Sequence, residues 1–272
     1  MPSGRDVSLA LIWSRLGGVR TAFISAVLLM LIAAPAAIAA PWTPDVAAAR
    51  DYARDRGGSV AFTVRTRRHA YGYRGSYVAP AASVVKAMLM VSYLNRAGVR
   101  SRALRKGDYA LLSPMIRRSD NRAASRVRDI VGNGALAHLA RRARMRRFAT
   151  ARSWGDTRIT TADQTRLFLR IDRFVVRRHR ATALALLGSI KRSQRWGIAK
   201  ARPPGWSLYF KGGWGDGDGE VDHQVALLTR GDQRVAVGII TTGNPSKAYG
   251  DQTLRGVARL LLRGLDADAV PR

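Results

Sequence analysis

The stretch Ala81–Val91, AASVVKAMLMV, decides how the chain is read. Ser83 opens an apolar run that reads as a helix over residues 83–98, ending at Gly98, and Lys86 follows three positions later. A serine before an apolar run is commonly an N-cap, its hydroxyl accepting from a free backbone N–H. Lys86 does not suit that reading. Glu or Gln belongs three residues after a cap, and the positive end of the helix dipole disfavours a cation by about 0.3–1 kcal/mol. The misplacement has a chemical use. Residues three apart share a helix face and their side chains can meet. A lysine in an apolar pocket at a positive dipole end has a lowered pKa, and a neutral lysine can take the proton of a serine nucleophile. Arginine cannot, because it does not deprotonate. Of 47 Lys plus Arg in the chain only six are Lys, so the choice of Lys at position 86 carries information.

Two further segments extend the pattern. RRSDNRA holds Ser119-Asp120-Asn121, and YFKGGWG holds Lys211-Gly212-Gly213 at the end of an expected strand. A serine with a lysine three later, then Ser-Asp-Asn, then Lys-Thr-Gly is the motif set of class A β-lactamases and penicillin-binding proteins. Each triplet alone is weak, because Ser-Asp-Asn is often a capping cluster and a strand-end Lys a surface charge. In this order the chain resembles that family. The likeness extends to a first hairpin running into the nucleophile helix (GSVAFTVRTRRHAYGYRGSYVAPAASVVKAMLM), to an Ω-loop end (GDTRITTADQTRLFL) and to two last strands (VALLTRGDQRVAVGIITTG), about residues 45–264 in all.

The resemblance implies roles. Ser83 attacks a carbonyl and Lys86 takes its proton. The backbone N–H groups of Ser83 and Trp214 form an oxyanion hole. Ser119 passes the proton to the leaving nitrogen, with Lys211 beside it and drawing in a substrate carboxylate. Asn121 holds the acyl amide, and Gly213 and Trp214 line the substrate side. No cofactor is implied. The pattern also breaks. In the class A family a glutamate of the Ω-loop activates the water that removes the acyl group. The one glutamate here, Glu220, lies after Lys211, and RRARMRRFATARSWGDT offers no carboxylate before Asp156, which resembles the structural acid at the loop's end. Gly212 stands where the family has Thr or Ser, and Val221-Asp222-His223 where many members begin the next strand with Arg. The interval from Ser83 to Ser119 is shorter than in class A enzymes, so a trimmed helical lobe is expected.

The rest of the chain frames these segments. Residues 45–58 carry helix punctuation, Asp45 at the start and Gly57-Gly58 at the end. Residues 59–78 alternate as a strand pair. Residues 100–145 read as several short, Arg-coated helices, 153–159 as loop, and Thr161–Gln164 as a capping box opening the helix DQTRLFLRI. Residues 206–213, 223–229 and 234–243 read as strands, with Gly231-Asp232 in the last tight connection. Leu254, Val257, Ala258 and Leu261 share one face of a final helix. The expectation is an α+β fold: one antiparallel sheet made by both chain ends, packed with helices, and an inserted all-helical lobe.

Residues 1–39 read as a secretory signal peptide, with Arg5, Arg15 and Arg20, an uncharged run, and Ala37-Ile38-Ala39 as cleavage site. The alternative is an uncleaved anchor, since the run approaches the ~20 residues that span a bilayer. The domain is then 40–272, working outside the cytoplasm. The chain carries a formal +29, and setting aside three Arg and one Asp in residues 1–39 leaves +27. Export and the absence of a recognition motif argue against nucleic acid. Anionic cell-wall polymers are possible partners, although the Arg are spread along the sequence as a general coat. With no cysteine there is no disulfide and no thiol chemistry. Asp216, Asp218, Glu220 and Asp222 alternate as calcium ligands can, but without the twelve-residue spacing, and acids offsetting an Arg-rich surface serve as well; no metal is expected. The four His are scattered and read as packing or surface residues. The functional expectation is an exported monomeric serine hydrolase acting on β-lactams or related amides and esters. A D-alanyl-D-alanine carboxypeptidase acting on peptidoglycan peptides and a catalytically silent wall-binding protein are the alternatives.

Overall fold

The computed structural model describes residues 42–215 and 220–265. The segment read as a signal peptide, Asp216 and Asp218 lie outside these residues. Among the described residues no helix is long and apolar enough to cross a membrane.

The fold is α+β, as the sequence pattern implies. Helix α1 (Val46–Arg54) is capped by Asp45, whose side chain accepts from Ala48 N at 3.0 Å. Strands β1 (Ser59–Arg65) and β2 (Ala70–Tyr73) follow as a hairpin. Strands β5 (Ser207–Gly215), β6 (Glu220–Arg230) and β7 (Gln233–Asn244) come from the other end of the chain. The five join in the order β2-β1-β7-β6-β5, every pair antiparallel. Helices α1 and α8 (Lys247–Leu261) pack together, with α8 against β6 and β7, and α6 (Thr161–Phe168) packs on β1 and β7. Leu254, Val257, Ala258 and Leu261 are all buried on α8, on the face their spacing marks.

Between β2 and β5 the chain forms the helical lobe. Its centre is α2 (Lys86–Leu94), every residue of which is buried. A helix apolar on all sides belongs in a core, and α5 (Asn121–Arg142), α4 (Lys106–Arg117) and α7 (Arg180–Gly188) surround it. Asp108 ties the lobe together from α4, accepting from Tyr93 Oη at 2.7 Å and Arg105 N at 2.6 Å and pairing with Arg102.

Several local expectations are corrected. The 83–98 segment is not one helix: Ala82–Val85 is a 3₁₀ turn, α2 stops at Leu94, and Gly98 sits inside the short α3 (Ala97–Arg100). The several short helices expected over 100–145 are found, residues 121–142 being two helical stretches joined at Gly132, whose φ of 71° only glycine adopts without strain. The cap of α6 is Thr160, its hydroxyl accepting from Asp163 N at 3.1 Å, one residue before the expected box. The expected 153–159 loop contains a 3₁₀ turn (Trp154–Asp156) and β4 (Arg158–Ile159), which pairs with β3 (Ala79–Pro80) just ahead of the Ser83 turn.

Candidate active site

Three elements converge at one end of the sheet: the 3₁₀ turn with Ser83, the turn before α5 with Ser119, and strand β5 with Lys211. Ser83 is not a side-chain cap. It lies in the turn whose first backbone N–H groups have no partner within the helix. The residue before it, Ala82, has φ 44°, and Ser119 has φ 60°. Left-handed backbone at non-glycine positions costs about 1–3 kcal/mol and concentrates at functional sites. Asp120 caps α5 through Ala123 N at 2.8 Å. The Ser-Asp-Asn triplet therefore serves as both capping cluster and site.

Lys86 is fully buried, and its Nζ donates to Ser119 O at 2.6 Å, Asn121 Oδ1 at 2.7 Å and Ser119 Oγ at 3.2 Å. Lys211, also fully buried, donates to Ser119 Oγ at 3.0 Å and Gly212 O at 2.6 Å. Two ammonium groups in one dry pocket on one hydroxyl are unfavourable. Burial lowers Lys86 to about 7 against a weaker upward pull from Asp120. Burial first, and Lys86 second, hold Lys211 well below the usual lysine range. The lowering of Lys86 is thus a matter of desolvation. Among the described residues no hydrogen bond joins Ser83 Oγ to Lys86 Nζ; the structure brings Lys86 onto Ser119 and Asn121 rather than onto Ser83. Ser83 and Asn121 nevertheless line one cleft of about 560 Å³ with Trp154, Asp156, Arg158 and Trp214.

Alternation along β5 explains the Lys-Gly-Gly-Trp run. Lys211 and Gly213 share one face. A Cβ on Gly213 would lie 2.8 Å from Ser83 N and 2.9 Å from Val84 N, so only glycine lets the strand pass this close to the Ser83 turn. On the other face, a Cβ on Gly212 would meet Trp196 at 3.3 Å. The indole therefore crowds the position where the family motif has Thr or Ser. Gln224 fixes Trp196 in place by donating to its carbonyl at 2.9 Å and accepting from Ile198 N at 2.7 Å. Trp196 in turn meets Trp214 edge-on at 5.9 Å.

His223 is a buried packing residue. Burial pushes it down to about 4, so it is neutral, bonded to Pro80 O at 3.0 Å and accepting from Thr241 N at 3.3 Å. It fastens β6 to the segment that leads into Ser83.

Three features were missed by sequence reasoning. The centre of the Trp154 ring lies 4.6 Å from Lys86 Nζ, so an aromatic face, not a carboxylate, covers this amine. Asp222 is buried with Lys247 Nζ at 3.2 Å, and Lys247 also pairs with Asp251. Lys247 reaches from α8 to lie 3.8 Å from the centre of the Trp196 ring. Of the four alternating acids, Asp222 is given by the fold to a lysine that the sequence places 25 residues away. Among the described residues no cluster of three or more His, Asp or Glu is arranged to hold a metal.

Burial raises Asp222 from 3.8 to about 7, against the pull of Lys247. An acid with a raised folded-state pKa stabilises most while protonated in both states, and loses that contribution as pH climbs from 3.8 through 7. The shift corresponds to at most about 4 kcal/mol. Asp222→Asn should therefore gain more stability over the wild type at pH 8 than at pH 4.5, read from unfolding midpoints at the two values. A pH-independent gain would show that Asp222 does not hold a proton in the folded state.

The model of the β-lactamase enzyme family matches residues 109–265, more than half of the chain. The match includes Ser119, Asn121 and Lys211–Trp214; Ser83 and Lys86 lie before it and rest on their motif and place in the fold. Among solved structures, the chain is similar to a β-lactamase from Sphaerobacter thermophilus (22% identity over 82% of this chain and 98% of that one, TM-score 0.71). It is similar also to a class A β-lactamase from Mycobacterium abscessus (17%, 82% and 100%, TM-score 0.71). A β-lactamase from Xanthomonas campestris is a third (17%, 80% and 96%, TM-score 0.69). No curated protein matches significantly. These structural likenesses establish the fold, and the match along the sequence establishes descent: the chain belongs to the β-lactamase enzyme family, a family of serine hydrolases.

Proposed function

We propose that the protein is an exported hydrolase that forms an acyl-enzyme on Ser83 from β-lactams or related amides and esters, and releases the acyl group slowly. The observation that carries the first half is the Lys86–Ser119–Lys211 chain of hydrogen bonds beside Ser83. A neutral Lys86 has two N–H bonds to give to Ser119 O and Asn121 Oδ1, and one lone pair left to accept a proton. Ser83 Oγ attacks the carbonyl and its proton passes to Lys86. The negative oxygen forms against the N–H groups of Ser83 and Trp214. The C–N bond breaks as Ser119 gives its proton to the nitrogen, and Lys86 restores that proton to Ser119.

The second half needs a base for water. Trp154 covers Lys86 where a carboxylate would serve, and among the described residues Asp156 is the one acid lining the cleft, exposed to solvent. An acyl-enzyme formed here should persist. Fluorescent penicillin is expected to label the Ser83 peptide of a digest and to remain attached for minutes or longer. No label on that peptide, with ester and amide hydrolysis unchanged in Ser83→Ala, overturns the reading. Release within seconds keeps the acylation but overturns the slow second step. Trp154 also favours a second reading, a D-alanyl-D-alanine carboxypeptidase acting on peptidoglycan peptides. Release of D-alanine at rates above nitrocefin turnover would decide for it.

A further inference from the structure

The sequence spreads its arginines along the chain, but the fold gathers seven of them around one cavity of about 440 Å³. Arg65 and Arg67 come from the end of β1, and Arg142 and Arg144 from the end of α5. Arg166, Arg170 and Arg173 come from α6 and the turn after it. The cavity shares no lining residue with the cleft at Ser83.

Among the described residues none of these seven is in an ion pair. The nearby acids are committed elsewhere. Asp163 accepts from the backbone N–H groups of Arg146 and Arg147, both at 2.9 Å, and Asp172 pairs with Arg234. Arg65 and Arg166 are the half-buried members, and the other five are exposed. The Nε atoms of Arg65 and Arg166 are fully shielded from solvent and have no hydrogen-bond partner. Burial and then the charge of Arg166 lower the pKa of Arg65, against a smaller pull from Asp163. Like charges are thus held together, two of them with buried donors unmet, which folding alone does not favour.

We propose that this cavity is a binding site for a compact, multiply charged phosphate group such as pyrophosphate, free in solution or carried as a lipid headgroup. Guanidinium groups match phosphate oxygens in bidentate pairs, and donors arriving from three segments suit a compact anion better than an extended backbone. The finite cavity also favours a headgroup-sized ligand over a polymer segment.

The test titrates the full chain with inorganic pyrophosphate by calorimetry at about 0.1 M salt, where long-range attraction between exposed charges is largely screened. In parallel it floats the chain with vesicles of phosphatidylcholine with and without phosphatidic acid. Two pocket variants are compared, Arg65→Gln/Arg166→Gln and, at exposed positions where folding is not at risk, Arg142→Gln/Arg173→Gln. The control, Arg255→Gln/Arg259→Gln, removes equal charge from exposed positions on α8. Saturable binding that falls about tenfold or more in both pocket variants and is kept in the control supports the proposal. Binding of pyrophosphate identifies a free ligand, and binding of phosphatidic acid vesicles alone a lipid headgroup. Binding of neither, or equal loss in the control, overturns it. Ser83→Ala should bind as the wild type does, which separates this site from the acylation reading.

Discussion

Lys86→Arg is expected to slow acylation of Ser83 about a thousandfold, as loss of a positioned general base does. The two residues carry the same charge in most settings and differ here in one respect: a guanidinium does not give up its proton near neutrality. The wild-type nitrogen sits against two carbonyl oxygens and one hydroxyl in a fully buried slot. Burial brings its pKa to about 7, so the amine becomes a free base as pH rises through that value. Wild-type acylation should climb with pH across the same window. Because Lys211 shares the Ser119 hydroxyl, the observed midpoint belongs to the coupled pair. The measurement is the pseudo-first-order rate of labelling by fluorescent penicillin from pH 5.5 to 9. Lys86→Met, slender and neutral, serves as the control for crowding, and should be as slow as Lys86→Arg. If Lys86→Arg keeps wild-type rates and the rising profile, Lys86 is not the base.

The parts of this site that were legible in the sequence are those where a residue type has few uses. A lysine among arginines beside a serine, a Ser-Asp-Asn run and a Lys-Gly-Gly strand end each have a bland reading, and their order removes most of it. The structure then joins Lys86, Ser119, Asn121 and Lys211 by hydrogen bonds. The sheet was legible for a similar reason, since period-two alternation and a Gly-Asp turn have local causes. What was hidden depends on contacts between distant segments. Trp154 over Lys86, Trp196 in the space beside Gly212, and Asp222 against Lys247 leave no local periodicity. The arginine-lined cavity was hidden in the same way, because seven residues from three segments look like an even coat until the chain folds. The cap of α6 was misplaced by one residue because Thr160 and Thr161 are adjacent candidates, and only geometry selects between them. The helix expected over 83–98 failed at its start because the backbone at Ala82 is left-handed and Ser83 is held in a 3₁₀ turn.

Gly213→Ala is expected to lower acylation a hundredfold or more with little change in overall fold. The Cβ would arrive 2.8 Å from Ser83 N, 2.9 Å from Val84 N and 3.1 Å from Ala81 O. All three are backbone atoms, so no side chain can rotate away, and either β5 or the nucleophile turn must shift. The turn is already strained at Ala82 and is braced behind by the bond between His223 and Pro80 O. The edge strand β5 is paired on one side only, with β6, and is the element freer to move. Its retreat would separate the N–H of Trp214 from that of Ser83, the two proposed donors to the developing oxyanion. Loss of one such donor costs about 2.7–4 kcal/mol of transition-state stabilisation, a factor of 10² to 10³. The chemistry of Lys86 would be untouched, so the pH midpoint of the residual rate should stay near that of the wild type. That separates this variant from Lys86→Arg, which should abolish the rise with pH. The check is the labelling rate across pH together with the unfolding midpoint. A Gly213→Ala protein that acylates at the wild-type rate would mean that the close passage of β5 does not set the oxyanion geometry.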